Sequence, residues 1–219
     1  MDPVILYIAF IYLPIIFVML TAYAKQNRIL RYIFKSLYMP SLIVLYLLAA
    51  SKPHVLVILA MVFGWIGDVF LLDRHHWNIY GGILSFALGH ICYIAAMLST
   101  KPGLHITGII SGVWIGACII TVRHFVIPHA PKHLKVPAFC YAMLLCCTSA
   151  TALYLAFASH FDAAYMLAVF GGIMFMLSDG LLAYNMFGKR TVLGNFFVMV
   201  TYVIAQTALA TGFILHGGI

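Results

Sequence analysis

Apolar runs long enough to cross a bilayer recur along the whole chain, and this restricts the fold more than any other feature. Spans of approximately 4–23, 33–50, 54–72, 79–99, 104–122, 136–157, 163–184 and 192–215 predict about eight transmembrane helices. Several lie near the ~17–20-residue minimum for a ~30 Å hydrocarbon core, so the bundle is expected to be compact. Of 219 residues, 65% are hydrophobic and 8% charged, and the mean hydropathy is +1.08. A water-soluble domain of this size has too little interior to hide that surface, so the solvent is lipid. The expected fold class is an all-α membrane protein, a single transmembrane domain over 1–219.

Basic residues set the expected orientation. Lys25, Arg28, Arg31 and Lys35, then Arg74, then Arg123, Lys132 and Lys135, then Lys189 and Arg190 fall at odd-numbered connections. They are ten of the twelve Lys and Arg residues; Lys52 and Lys101 are left on the other side. The positive-inside bias therefore puts the odd loops in the cytoplasm and both termini outside. The short loops suggest a bacterial inner membrane, and an endoplasmic reticulum protein would look the same. The net charge of +7 is explained by loop edges facing anionic lipid headgroups and calls for no nucleic-acid partner. Cys92, Cys118, Cys140, Cys146 and Cys147 all fall within predicted helices and form no CxxC pair, so they read as small core residues. The first apolar run leads into a basic loop rather than a small-residue cleavage site, so no cleavable signal peptide is expected. Pro14 within that run predicts a kink.

Two segments carry ionisable groups into this apolar sequence. Gly67-Asp68 lies near the end of predicted helix 3, and Phe86, His90 and Tyr93 follow on helix 4. Ser178-Asp179-Gly180 lies on helix 7, with Tyr202 on helix 8. Asp68 precedes Tyr93 by 25 positions and Asp179 precedes Tyr202 by 23, which suggests an internal repeat of 1–100 and 104–219. Four helices per half make such a repeat parallel, and a pseudo-twofold would direct both aspartates into one cavity at similar depth. A charge inside the bilayer costs about 2.5–3.5 kcal/mol on insertion scales, and a carboxylate near a helix C-terminus also opposes the macrodipole. Something other than helix stability has to retain these two residues.

The remaining polar residues have plainer readings beside functional ones. Lys35 is either a snorkelling interfacial lysine or a counter-ion or phosphate ligand. His90 and Tyr93, at i and i+3, share a helix face; His90 is either a satisfied core donor or part of the site. Its counterpart in the second half is Met199, so the halves are not chemically identical. Tyr202 and Gln206 also face together, and Asn195 and Gln206 read as interhelical hydrogen-bonding groups. His75 and His76 lack a third ligand nearby, and Pro131 breaks any helix that would align His129 with His133 near His124. No metal and no cofactor are expected.

The acid inventory is small. There is no glutamate, and the aspartates are Asp2, Asp68, Asp73, Asp162 and Asp179; Asp68 and Asp179 alone are expected inside the membrane. Two carboxylates sharing a poorly hydrated pocket cannot both ionise cheaply, so the pair holds a proton near neutrality. That is a general acid beside a general base. With no GxSxG and no HExxH in the chain, acid–base hydrolysis fits better than covalent or zinc chemistry.

The set Lys35…Pro40, Gly67-Asp68…Leu71, Phe86…His90…Tyr93, Tyr141, Phe175…Ser178-Asp179-Gly180…Leu182-Ala183 and Tyr202…Gln206 resembles the lysoplasmalogenase (YhhN-like) membrane family over nearly the whole chain. Where some relatives carry an acid, this chain has Asn185. The resemblance implies hydrolysis of the sn-1 vinyl-ether bond of a lysoplasmalogen to a fatty aldehyde and glycerophosphoethanolamine or glycerophosphocholine. Asp68 and Asp179 are then the expected catalytic pair, with Lys35, His90, Tyr93, Ser178 and Tyr202 binding or orienting. The expected partners are a lysophospholipid substrate and membrane lipid. Residues alone also allow a proton-coupled transporter, with buried acids in a repeated bundle, or a lipid-binding scaffold without catalysis.

Overall fold

The computed structural model describes residues 2–73, 75–99, 108–188 and 191–217. Arg74, Lys101, Lys189 and Arg190, which entered the loop-charge reading, lie outside the described residues, as does the first part of the fifth predicted span. Eight helices form among the described residues: α1 (Pro3–Ala24), α2 (Arg28–Ala49), α3 (Val55–Phe70), α4 (His76–Leu98), α5 (Gly108–Thr121), α6 (Lys135–Ala158), α7 (Ala163–Phe187) and α8 (Val192–Leu215). The chain is thus an all-α membrane bundle. Seven of the helices, α5 being continued by further helical turns to His129, are long and apolar enough to cross a membrane.

Helix α3 departs from its predicted span of 54–72. It has 16 residues, because Pro53 and the His54 cap fix its start and the chain turns at Leu71. The His54 side chain accepts a hydrogen bond from the Leu56 amide there. Pro14 has its effect just upstream: the helix widens into a π-turn over Ile8–Tyr12. A proline cannot donate to the carbonyl four residues back, and the wider turn accommodates that gap. Between α5 and α6 the chain breaks at Ala130 and Pro131 into two short 3-10 turns, so His129 and His133 do not share an α-helix.

Helix α8 occupies the middle of the bundle. Two-thirds of its apolar window (67%) is buried inside the protein, against 11% for α1 and 12% for the α5 span, which face outward to lipid. The most extensive helix–helix contacts are α7 with α8 and α3 with α4, the pairs that carry the two intramembrane aspartates. Because lipid tails are as apolar as leucine, close backbone approach has to supply the attraction between such helices. Gly171 and Gly212 provide it: a Cβ on Gly171 would lie 2.9 Å from the Ala205 carbonyl oxygen, and one on Gly212 2.7 Å from that of Ala164.

Side-chain hydrogen bonds cross-link the remaining helices around α8. The Tyr38 hydroxyl donates to the Val203 carbonyl at 3.1 Å, Tyr12 and Thr207 share a 2.6 Å hydroxyl contact, and the Trp65 indole donates to the Ser36 carbonyl at 2.9 Å. Gln206 accepts from the Tyr93 hydroxyl at 3.1 Å, the interhelical bonding expected of it.

Replacing Gly171 or Gly212 with valine should force α7 and α8 apart at a cost of about 1–3 kcal/mol or more. Melting in detergent should show a clear fall in Tm for either variant. Gly112→Val, at a position with open space within 4 Å, should melt like the parent.

Candidate active site

The last turn of α3, the first turns of α2 and the middle of α8 bring three polar side chains, Asp68, Lys35 and Tyr202, together inside the bundle. Asp68 is 2% exposed and Lys35 7%, so neither charge can rely on water. The Lys35 ammonium lies 3.3 Å from Asp68 Oδ1. On the other carboxylate oxygen, Asp68 Oδ2 accepts a hydrogen bond from the Tyr202 hydroxyl at 2.6 Å. Both oxygens are therefore occupied, one by a cation and one by a phenol. Such a pair is tolerated in a low dielectric only when its geometry and hydrogen bonds compensate for lost hydration.

Asp179 sits across the same space on α7, and its surroundings differ. It accepts a short hydrogen bond from the Tyr141 hydroxyl of α6. Asp68 and Asp179 line one small cavity of about 60 Å³, together with Lys35, Tyr202, Ser178 and Phe86. Asp179 also lines a second, apolar cavity of about 120 Å³ bounded by Ile83, Leu145, Met176 and Ala183 among others. The two cavities share Leu71, Phe86, Asp179, Leu182 and Met186. Asp179 is thus the carboxyl group that stands at their junction, half-buried, while Asp68 lines only the acid cavity and is more deeply buried.

The two aspartates line one cavity, but their helices end at different distances beyond them. Asp68 is two residues from the end of α3, whereas α7 continues past Asp179 to Phe187. The macrodipole reasoning that applied to both therefore applies to Asp68 alone.

The other residues singled out in the sequence divide into two groups. Ser178 lines the acid cavity, and its hydroxyl donates to the Val198 carbonyl at 3.0 Å, which ties α7 to α8 beside Asp179. His90 and Tyr93 lie one layer away from the carboxylates. His90 Nδ1 is 3.0 Å from the Thr148 hydroxyl, and its ring meets Phe175 edge-on at 4.6 Å and Tyr141 at 6.2 Å. Tyr93 bonds Gln206 and stacks on Phe213 at 5.8 Å. Both are buried, and their bonds run to other helices rather than to Asp68 or Asp179. A ring layer of Phe86, Phe175 and Tyr202, with centroids 5.7–6.3 Å apart, packs between the acid cavity and that deeper layer.

Tyr141 is the site residue that the repeat reasoning did not single out. The spacing echo pairs Tyr93 with Tyr202, which would give Asp179 the phenol of α4. Instead the phenol comes from α6. The available signal was Lys135 and Pro137 ahead of Tyr141, a faint echo of Lys35 and Pro40 at the matching start of α2.

No solved structure matches the chain significantly. The sequence model of the YhhN family matches residues 30–213, a stretch containing Lys35, Asp68, Tyr141, Asp179 and Tyr202, and the chain belongs to the YhhN family.

Proposed function

We propose that this protein is a membrane-embedded hydrolase that cleaves the sn-1 vinyl-ether bond of lysoplasmalogens, with Asp179 as the proton donor and Asp68 as its ionised partner. The observation that carries the reading is the unequal surroundings of two carboxyl groups in one cavity. Asp68 is neutralised by Lys35, so it remains a carboxylate. Asp179 is held by a phenol and borders an apolar cavity, so it is suited to carry the proton. Two carboxyl groups in contrasting environments is the general pattern by which one site supplies both an acid and a base.

The chemistry follows from the substrate. Asp179 transfers its proton to the β carbon of the vinyl ether, and the ether oxygen stabilises the resulting oxocarbenium ion. Asp68 faces that cation and takes a proton from the water that adds to it. The hemiacetal then collapses: its hydroxyl proton returns to Asp179, the carbon–oxygen bond to glycerol breaks, and Asp68 delivers its proton to the departing oxygen. Both carboxyl groups return to their starting states, and the products are an aldehyde and a glycerol hydroxyl. Tyr202 and Tyr141 keep the two carboxyl groups in orientation. His90 and Tyr93 act from the layer behind, His90 through its contact with the Tyr141 and Phe175 rings. The apolar cavity beside Asp179 suits the hydrocarbon chain of the substrate. The mouth of the acid cavity lies at the ends of α1, α2, α3 and α8, joined by odd-numbered loops, and under the positive-inside bias that side is cytoplasmic.

Removing the proton donor should remove its catalytic share, about 10²–10⁴-fold. Asp179→Asn should therefore lose at least that much turnover while keeping the parent's melting curve, and Tyr141→Phe should lose less. Near-normal turnover by Asp179→Asn would exclude the shared-pair mechanism. Lys35→Met should destabilise the bundle by about 3–5 kcal/mol, because it leaves an uncompensated buried carboxylate. Adding Asp68→Asn to that variant should restore much of the lost Tm without restoring activity.

The decisive assay is mass spectrometry of purified protein supplied with a lysoplasmalogen or its saturated alkyl-ether analogue. Aldehyde should form from the vinyl ether alone. In D2O one deuterium should appear on the carbon next to the aldehyde carbonyl, the mark of protonation at the β carbon. Absence of aldehyde from folded, lipid-competent protein would overturn the proposal and favour a proton-coupled transporter.

A further inference from the structure

The acid cavity continues outward into a third space of different character. It has a volume of about 380 Å³ and is lined by Arg28, Arg31, Tyr23, Tyr32, Asp73 and Asn195 among others. It shares Tyr23, Leu71 and Asn195 with the acid cavity. Leu71, at the end of α3, lines all three cavities. A polar vestibule, an acid chamber and an apolar pocket therefore adjoin one another at this end of the bundle.

Both guanidinium groups in the vestibule are positioned by aromatic rings. Arg31 lies over the Tyr23 ring and Arg28 over the Tyr32 ring, each 5.4 Å from the centroid. Arg28 Nε also donates to the Tyr32 hydroxyl at 3.3 Å. Arg31 Nε is buried and has no hydrogen-bond partner among the described residues. A buried guanidinium N–H left without an acceptor is unfavourable, and an anionic oxygen in the vestibule would satisfy it. Lys35 is committed to Asp68 in the next chamber, which leaves the task of holding an anion to the arginines.

We propose that this vestibule seats the phosphodiester headgroup of a single-chain amphiphile, with Arg31 and Arg28 binding the phosphate oxygens. Arginine forks match phosphate geometry better than lysine does. The two guanidinium groups supply the positive charge that a phosphodiester anion needs. Asp73 supplies an acceptor on the same rim for a headgroup ammonium. The order of the chambers then lays the headgroup at the rim, the glycerol ether beside Asp179 and the chain in the apolar pocket. This placement rests on the hydrolase reading for its substrate, but its test needs no turnover.

The test is a binding titration of purified full-length protein in a nonionic detergent, using two ligands without a vinyl ether. One is a saturated 1-O-alkyl-lysophosphoethanolamine and the other is the 1-O-alkylglycerol of the same chain length, which lacks the phosphate. The phosphate-bearing ether should bind at least about tenfold tighter to the wild type. Glycerophosphoethanolamine should displace it more effectively than inorganic phosphate at the same concentration. Arg28→Gln, at an exposed position, should narrow the difference between the two ligands, and Arg28→Gln with Arg31→Gln should abolish it in protein that still melts cooperatively. Equal binding of the two ethers to the wild type would overturn the proposal without any variant. Inorganic phosphate competing as well as glycerophosphoethanolamine would also overturn it, because the site would then hold a free anion rather than a headgroup. A headgroup preference that persists alongside failure to release aldehyde would retain this site and reject the hydrolase.

Discussion

A carboxylate cannot remain ionised within a bundle of apolar helices unless a cation and a hydrogen-bond donor are built in beside it. The Lys35–Asp68 pair meets that requirement, and much of the local architecture serves it. It binds the start of α2 to the end of α3, and Tyr202 extends the connection to the central helix α8. Hydrophobic burial gives little preference for one helix arrangement over another inside lipid. Directional polar contacts such as this one, and the close glycine approaches between α7 and α8, therefore carry an unusual share of the specificity.

Neutralising one carboxylate also makes the two halves of the site different. A symmetric pair would leave open which group holds the proton. Here α2 contributes an ammonium to Asp68, while α6 contributes a phenol to Asp179. The sequence echo places two carboxyl groups at comparable places in the chain, and their different partners differentiate them.

The helices were legible in the sequence because hydrophobic runs of bilayer length admit few alternatives. The eight spans recur with boundaries shifted by a few residues, and the largest shift is at the start of α2, where Arg28 and Arg31 extend the helix beyond its apolar stretch. Asp68, Asp179, Lys35 and Tyr202 were also legible, since each is an ionisable or phenolic side chain out of place in apolar sequence. What periodicity could not convey is which helices touch. Tyr93 and Tyr141 carry the same phenol, and the packing of α6 against α7 brings Tyr141 to Asp179 while Tyr93, a layer deeper on α4, reaches Gln206. The arginine vestibule was hidden for a related reason: as sequence, Arg28 and Arg31 look like any loop-edge basic residues.

The brevity of α3 has a consequence for the surrounding lipid. Sixteen residues rise about 24 Å at 1.5 Å each, short of the ~30 Å hydrocarbon layer that the other helices match. A bilayer meeting a short helix thins locally or lets flanking polar groups draw the headgroup layer inward. Beside α3, the helix that carries Asp68, the water–lipid boundary therefore lies nearer the protein interior than beside its longer neighbours.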